Sequence, residues 1–275
     1  VIFVCAGLRL RTAEVRAAMS AWTAICWGLI SVLLLTPLIG TLLAAVIPVE
    51  AEFRTGLALF FSMPTTLSSG IALTAQAGGN VALALLLTVL TNVAGIFTVP
   101  FVLSWRLDFG GDVELSAGNL LIKLCLSILL PLAVGKLLRR RFGTWADAHG
   151  EALGLASNLA LITVPWLTFS TSSQRLAQVA PASLLAIVVG GVAVHAVFLA
   201  VNRLGAWGLR LPAAETRALV LVASQKTLPV SLTVLAFLPV PAAAKGLIAI
   251  PCVASHLTQI FVDAGLATRW RRQTG

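Results

Sequence analysis

The chain has 275 residues and a net charge of +9; 59% of its residues are hydrophobic and only 11% charged, with a mean hydropathy of +0.99. Globular domains carry about 25% charged residues, so this composition excludes a soluble fold and calls for a bilayer as solvent. The basic residues are split among short loops and form no single patch, which argues against a nucleic-acid partner.

In chain order, Val1 to Leu8 read as the last turns of an apolar helix, and the chain opens on Val, as expected of an N-terminally truncated copy. A membrane span needs about 20 apolar residues. Eight full spans follow the stub, near residues 19–46, 54–76, 80–104, 117–138, 152–170, 181–201, 214–238 and 245–267. The connections are short, and no linker or second domain is visible. The expected fold class is therefore an all-α polytopic membrane protein, with the lipid bilayer as its first partner.

The charges test this layout. Numbering the connections alternately puts Arg9, Arg11, Arg16, Lys136, Arg139, Arg140, Arg141, Arg203, Arg210, Arg217, Arg269, Arg271 and Arg272 on one side, 13 of the 19 basic residues. The other side holds Arg54, Arg106, Arg175 and Lys245 beside five acids, Glu50, Glu52, Asp108, Asp112 and Glu114. The positive-inside rule places the first side in the cytoplasm, or in the stroma of a plastid. Only Lys123 and Lys226 remain within spans.

Two spans gather polar groups. One reads Ser62-Met63-Pro64-Thr65-Thr66-Leu67-Ser68-Ser69-Gly70; the other, Ser224-Gln225-Lys226-Thr227-Leu228-Pro229. A cation at bilayer depth costs roughly 3 kcal/mol or more on insertion scales, and a proline removes a helix hydrogen bond. Such features persist where backbone opens onto a protein-lined cavity. Ser62-x-Pro64-Thr65-x-Leu67 lies over Ser224-x-Lys226-Thr227-Leu228 with a one-residue offset; Arg54 opens the first segment outside and Arg217 the second inside. Paired broken segments of opposite direction are the mark of an inverted-repeat secondary transporter. Freed carbonyls and hydroxyls suit a hard cation such as Na⁺, and half-helix N-termini suit an anionic group.

Pro64-Thr65-Thr66-Leu67-Ser68-Ser69-Gly70 followed by Gly79-Asn80-Val81-Ala82-Leu83 resembles the bile acid:sodium symporter family. Gly78-Gly79-Asn80, Lys226-Thr227-Leu228 and the Ile250-Pro251…His256…Gln259-Ile260 pattern are similar to its orphan cotransporter-7-like branch, which includes bacterial and plastid relatives. The resemblance covers essentially the whole chain. It implies a ten-span fold in which this chain lacks the first span and most of the second, with two crossed, discontinuous helices at residues 54–76 and 214–238. It also implies a core sub-domain near residues 19–104 and 181–267, and a panel sub-domain near 1–8 and 117–170. A bacterial inner membrane, a eukaryotic plasma or secretory membrane, or a plastid envelope all fit this resemblance.

The departures from the family pattern matter as much. Sodium-coupled members carry Ser-Asn where this chain has Ser69-Gly70, and two hydroxyls where it has Ala84 and Thr88. Leu221 stands at the place of a sodium-binding glutamate, and Lys226 at that of an asparagine near the break. A sodium site, if kept, would lie near Ser69, Thr88 and Gln225; Na⁺ or H⁺ remains open as coupling ion. Lys226 has two readings: an ammonium in the place of Na⁺, or a group that loads and releases a proton.

The substrate- or ion-binding candidates are Pro64, Thr65, Thr66, Ser68, Ser69, Asn80, Thr88, Ser224, Gln225, Lys226, Thr227, His256 and Gln259. Asn80 also fits as a helix N-cap after two glycines, and His256 and Gln259 share a helix face. Asn92 lies one turn beyond Thr88. Asp263 is expected in a rim ion pair with Arg269, Lys123 to reach the outer surface, and Pro37, Pro100, Pro131, Pro165 and Pro251 to make ordinary kinks. The four cysteines stand singly as small buried hydrophobes. No nucleophile–base set, metal-ligand spacing or cofactor motif is visible, so no enzyme is expected. The leading reading is a secondary transporter of an organic anion or other small metabolite, working by alternating access as core moves against panel. The rivals are a non-transporting membrane regulator of ion or glycan homeostasis, and a cation/proton exchanger in which Lys226 titrates. A solvated path to Lys226 favours transport, and a dry core favours the regulator.

Overall fold

The computed structural model describes residues 1–9, 19–106 and 116–273. Arg11, Arg16, Asp108, Asp112 and Glu114, which carry part of the charge layout, lie outside the described residues. Among the described residues all regular structure is helical.

A short α1 (Ile2–Arg9) precedes eight passes. These are α2 (Trp22–Val46), the broken pair α3 (Ala51–Phe61) and α4 (Ser69–Gln76), α5 (Val81–Arg106), α6 (Ala117–Ala148), α7 (Gly150–Ser170), α8 (Pro181–Gly208), a second broken pair α9 (Ala213–Ser224) and α10 (Leu228–Phe237), and α11 (Ala242–Arg272). Seven segments are long and apolar enough to cross a membrane among the described residues, with α9–α10 counted as one; the α3–α4 pair makes the eighth pass. The protein is an all-α, multi-pass integral membrane protein.

The prolines shape two helices beyond ordinary kinks. In α2 the residues Ser31–Leu35 form a π-turn just ahead of Pro37, and in α6 Cys125–Leu129 do the same ahead of Pro131. A proline ring collides with the carbonyl four residues back, and widening the turn by one residue relieves the clash. Helix α6 continues past residue 138, the expected limit, to Ala148. A non-helical Phe142 (φ −114°, ψ 24°) bends it, and Arg139 pairs with Asp147 at 2.9 Å. Arg139 also donates to the Leu8 carbonyl, so a cation meets the C-terminus of α1.

Small residues set the close approaches. A Cβ on Gly7 would run into the backbone of Leu132 and Lys136, and one on Gly135 into Val4, so α1 and α6 meet backbone to backbone. Gly56 of α3 lies against Ile248 and Pro251 of α11 in the same way. The interior fills around α3 with Phe53, Phe60, Phe61, Met63 and Phe198. The α9–α10 segment is almost wholly buried, whereas α7 buries only Leu153 and Pro165. The polar break of α9–α10 thus sits at the centre of the molecule, and α7 forms its lipid-facing edge.

Cys5 and Cys252 are buried, but Cys26 is exposed and Cys125 half-buried, so the reading of all four as buried hydrophobes holds for two.

Candidate functional site

Each break follows from its sequence. In the first, Ser62 Oγ folds back onto the Ala58 carbonyl, Pro64 supplies no N–H, and the helix restarts only at Ser69. Gly95 of α5 makes room for the Pro64 ring. In the second, α9 ends at Ser224 and Gln225 turns extended (φ −78°, ψ 151°). Thr227 is extended as well, and Pro229 fits the first turn of α10, where its missing N–H costs nothing. The two breaks touch. Thr227 N–H donates to the Pro64 carbonyl at 3.0 Å, and the Thr65 hydroxyl donates to the Val222 carbonyl.

The second half of each broken helix also ends on a cation. Arg217 Nη1 donates to the Ala77 carbonyl at 3.0 Å, after α4, and Lys245 Nζ to the Ala236 carbonyl at 2.6 Å, in the last turn of α10. Positive charge at a helix C-terminus is favourable.

Because the second break is extended, neighbouring side chains leave it in opposite directions. Gln225 turns toward α4 and α11. Its Oε1 accepts from the Thr66 hydroxyl at 2.7 Å and from Ser69 at 2.9 Å, and its Nε2 donates to Asp263 Oδ2 at 2.6 Å. The carboxylate only accepts, which fixes the amide orientation. Asp263 Oδ1 in turn accepts from His195 Nε2 at 2.8 Å.

Lys226 turns the other way, toward α2. Its Nζ donates to Thr36 Oγ1 at 2.8 Å and to the Val32 carbonyl at 3.2 Å, and lies 5.6 Å from the centre of the Phe198 ring. The π-turn explains why that carbonyl is available. Thr36 N–H bonds Ser31, not Val32, and the next residue, Pro37, has no N–H to give. The Lys226 backbone is bracketed by Gln259, which accepts from its N–H at 2.9 Å and donates to its carbonyl at 2.7 Å. His256 accepts from Gln259 Nε2 at 3.1 Å.

The structure therefore brings Pro64, Thr65, Thr66, Ser69, Gln225, Lys226, Thr227, His256 and Gln259 together at one crossing. Ser224 joins through Asn202, whose Nδ2 donates to its hydroxyl at 3.1 Å. Asn80 lies apart from this bonded network: its Oδ1 accepts from Leu83 N–H at 3.0 Å and caps α5. Thr88 bonds back to Ala84 at 2.8 Å and takes no part in the Ser69–Gln225 contact. Ser68 is exposed and, with Thr88 and Asn92, faces a cavity of about 350 Å³. That cavity lies between α4 and α5 on one side and α1, α6 and α7 on the other, where Cys5, Leu132 and Ser157 line it.

Three expectations need correction. Asp263 is not a rim partner of Arg269: it is fully buried and held by His195 and Gln225. Pro37 is not an ordinary kink, since it frees the Val32 carbonyl. Lys226 is 1% exposed and borders a narrow void with no room for a water molecule, so the accessible side of the crossing is the Ser68–Thr88–Asn92 side, not the lysine. Thr36 and His195 were missed. Thr36-Pro37 carried a signal, a hydroxyl beside a mid-span proline; Asp263 carried one as well, four residues after Gln259 on the same helix face.

The chain is 39% identical over 285 residues to the probable sodium/metabolite cotransporter BASS4, chloroplastic, of Oryza sativa subsp. indica, covering 99% of this chain and 67% of that protein. It is 39% identical over 282 residues to the protein of the same name from Arabidopsis thaliana, covering 99% of this chain and 65% of that one. The chain thus spans about two thirds of the length of these plant relatives. It is also similar to the putative symporter YfeH of Escherichia coli (strain K12), at 29% identity over 280 residues, 99% of this chain and 82% of that protein. The model of the SBF-like CPA transporter family matches residues 1–272, and the chain belongs to this family of membrane transporters.

Proposed function

We propose that the protein is a secondary transporter of a small organic anion, in which the ammonium of Lys226 is a built-in cation that takes over the part of a coupling Na⁺. The observation that carries the reading is the seat of that ammonium. A carbonyl oxygen, a hydroxyl and an aromatic face surround Nζ, the donor set a protein offers a cation. Leu221, at the place of the family's glutamate, is fully buried and apolar, which fits a site that no longer takes an external cation.

The 350 Å³ cavity supports the substrate class. It is at the small end for ligand sites and so fits a metabolite better than a steroid. Ser68 borders it at the N-terminus of α4, where the helix dipole favours negative charge. Helices α4 and α5 belong to the proposed core and α1, α6 and α7 to the proposed panel, so the cavity fits alternating access by movement of one set against the other. The two broken helices fit the inverted repeat read from the sequence.

The dry surroundings of Lys226 favour a second reading, a membrane regulator that does not transport. Uptake assays separate them. Full-length protein in proteoliposomes should take up at least one of a panel of labelled small anions saturably; no uptake across the panel, by protein shown to be folded, would leave the regulator.

A further inference from the structure

The ionisable side chains that are fully buried, thiols aside, are Lys226, His195 and Asp263 among the described residues. That is one fixed cation, one acid and one imidazole in a low-dielectric interior. Asp263 and His195 are joined by the 2.8 Å bond, and His195 borders the same narrow void as Lys226, Ser255 and Gln259. Other titratable groups on the packed elements lie elsewhere. His256 is the nearest, held by Gln259. On α3, Glu52 and Arg54 stand near the outer end; on α8 and α9, Arg203, Glu215 and Arg217 stand at the basic end; Arg269 of α11 is exposed; and α4 has none.

Building on the transporter reading, we propose that the His195–Asp263 pair is the proton-binding site of the carrier and that one proton travels with each monoanionic solute molecule. With His195 neutral, Nε2–H points at Asp263 and Nδ1 holds a lone pair. The buried set is then neutral, Lys226 balancing Asp263. A proton bound at Nδ1 makes the set singly positive, and a monoanion in the cavity restores neutrality. Releasing both on the other side returns His195 to its starting tautomer, with no net charge moved. Gln225 links the two sites. Asp263 fixes its amide, and its Oε1 holds Thr66 and Ser69 at the start of α4, whose Ser68 borders the cavity.

The test uses full-length protein in proteoliposomes with a trapped pH dye, and membrane-impermeant gluconate and glycerate as probe anions. Anion entry should acidify the lumen, and an alkaline interior should drive several-fold accumulation. His195→Gln and Asp263→Asn should abolish both responses. Uptake that moves no protons and ignores the pH gradient would overturn the proton site while leaving the transporter reading intact. If neither probe is taken up, [¹⁵N]histidine NMR of the unmodified protein decides. The signal of His195, one of three histidines in the chain, should show both the neutral and the doubly protonated ring as the pH of the sample is changed; one state throughout would overturn the proposal.

Discussion

Lys226 donates to the Val32 carbonyl, which the α2 backbone leaves without a donor because Pro37 follows Thr36. A proline 189 positions away in sequence therefore builds the seat of the intramembrane cation. The same residue that weakens α2 locally supplies the acceptor that a buried ammonium needs.

This relationship predicts the behaviour of Pro37→Ala. The new N–H can bond Val32 or Leu33, and the π-turn can close to regular α-helix, a change worth up to about 3 kcal/mol of helix propensity. Amide exchange around Thr36–Ile39 should slow, and transport should fall because Lys226 loses an acceptor. Faster exchange, or unchanged transport with a closed turn, would separate Pro37 from the lysine.

Substitutions of Lys226 should act on function before insertion. Lys226→Ala should remain in the membrane at normal abundance, since removing an intramembrane charge lowers the insertion cost, yet transport should be lost. Lys226→Gln should keep part of the hydrogen bonding and little transport. Lys226→Arg should fail because a planar fork does not fit a seat shaped for an ammonium. Activity that simply tracks protein abundance across the three variants would reduce Lys226 to a structural part.

Much of this was legible in the sequence, for physical reasons. The membrane-spanning helices follow from hydropathy. Both breaks follow from proline among hydroxyls, and Gln259 from its place on the Lys226 side of the last span. What escaped was the direction of side chains at the second break. Nothing in Gln225-Lys226 says that the chain is extended there, and only that geometry sends Gln225 to Asp263 and Lys226 to α2. Asp263 was misplaced because its nearness to Arg269 in sequence outweighed its helical phase: four residues after Gln259, it faces inward.

The Gln225–Asp263 bond gives a double-mutant test. Gln225→Glu sets a carboxylate against a buried carboxylate, which should cost roughly 3 kcal/mol or more and lower the melting temperature in detergent. Adding Asp263→Asn restores a donor opposite the new acid and should recover most of that loss. Additive penalties would show that the two side chains are not coupled in the folded protein.

Gly56 tests the packing that holds α3 to α11. An alanine methyl there would meet the Ile248 carbonyl and the Pro251 ring, so Gly56→Ala should destabilise by about 1–3 kcal/mol. Gly118, beside which a Cβ meets nothing, is the control, and Gly118→Ala should melt like the parent protein. Equal melting of the two variants would contradict the described crossing.

The central claim is that a built-in ammonium replaces the coupling Na⁺, and replacing Na⁺ by K⁺ on both sides of proteoliposomes during anion uptake tests it most directly. The account predicts the same initial rate in the two salts. A rate that collapses without Na⁺ and recovers in a saturable way as Na⁺ is restored would contradict it.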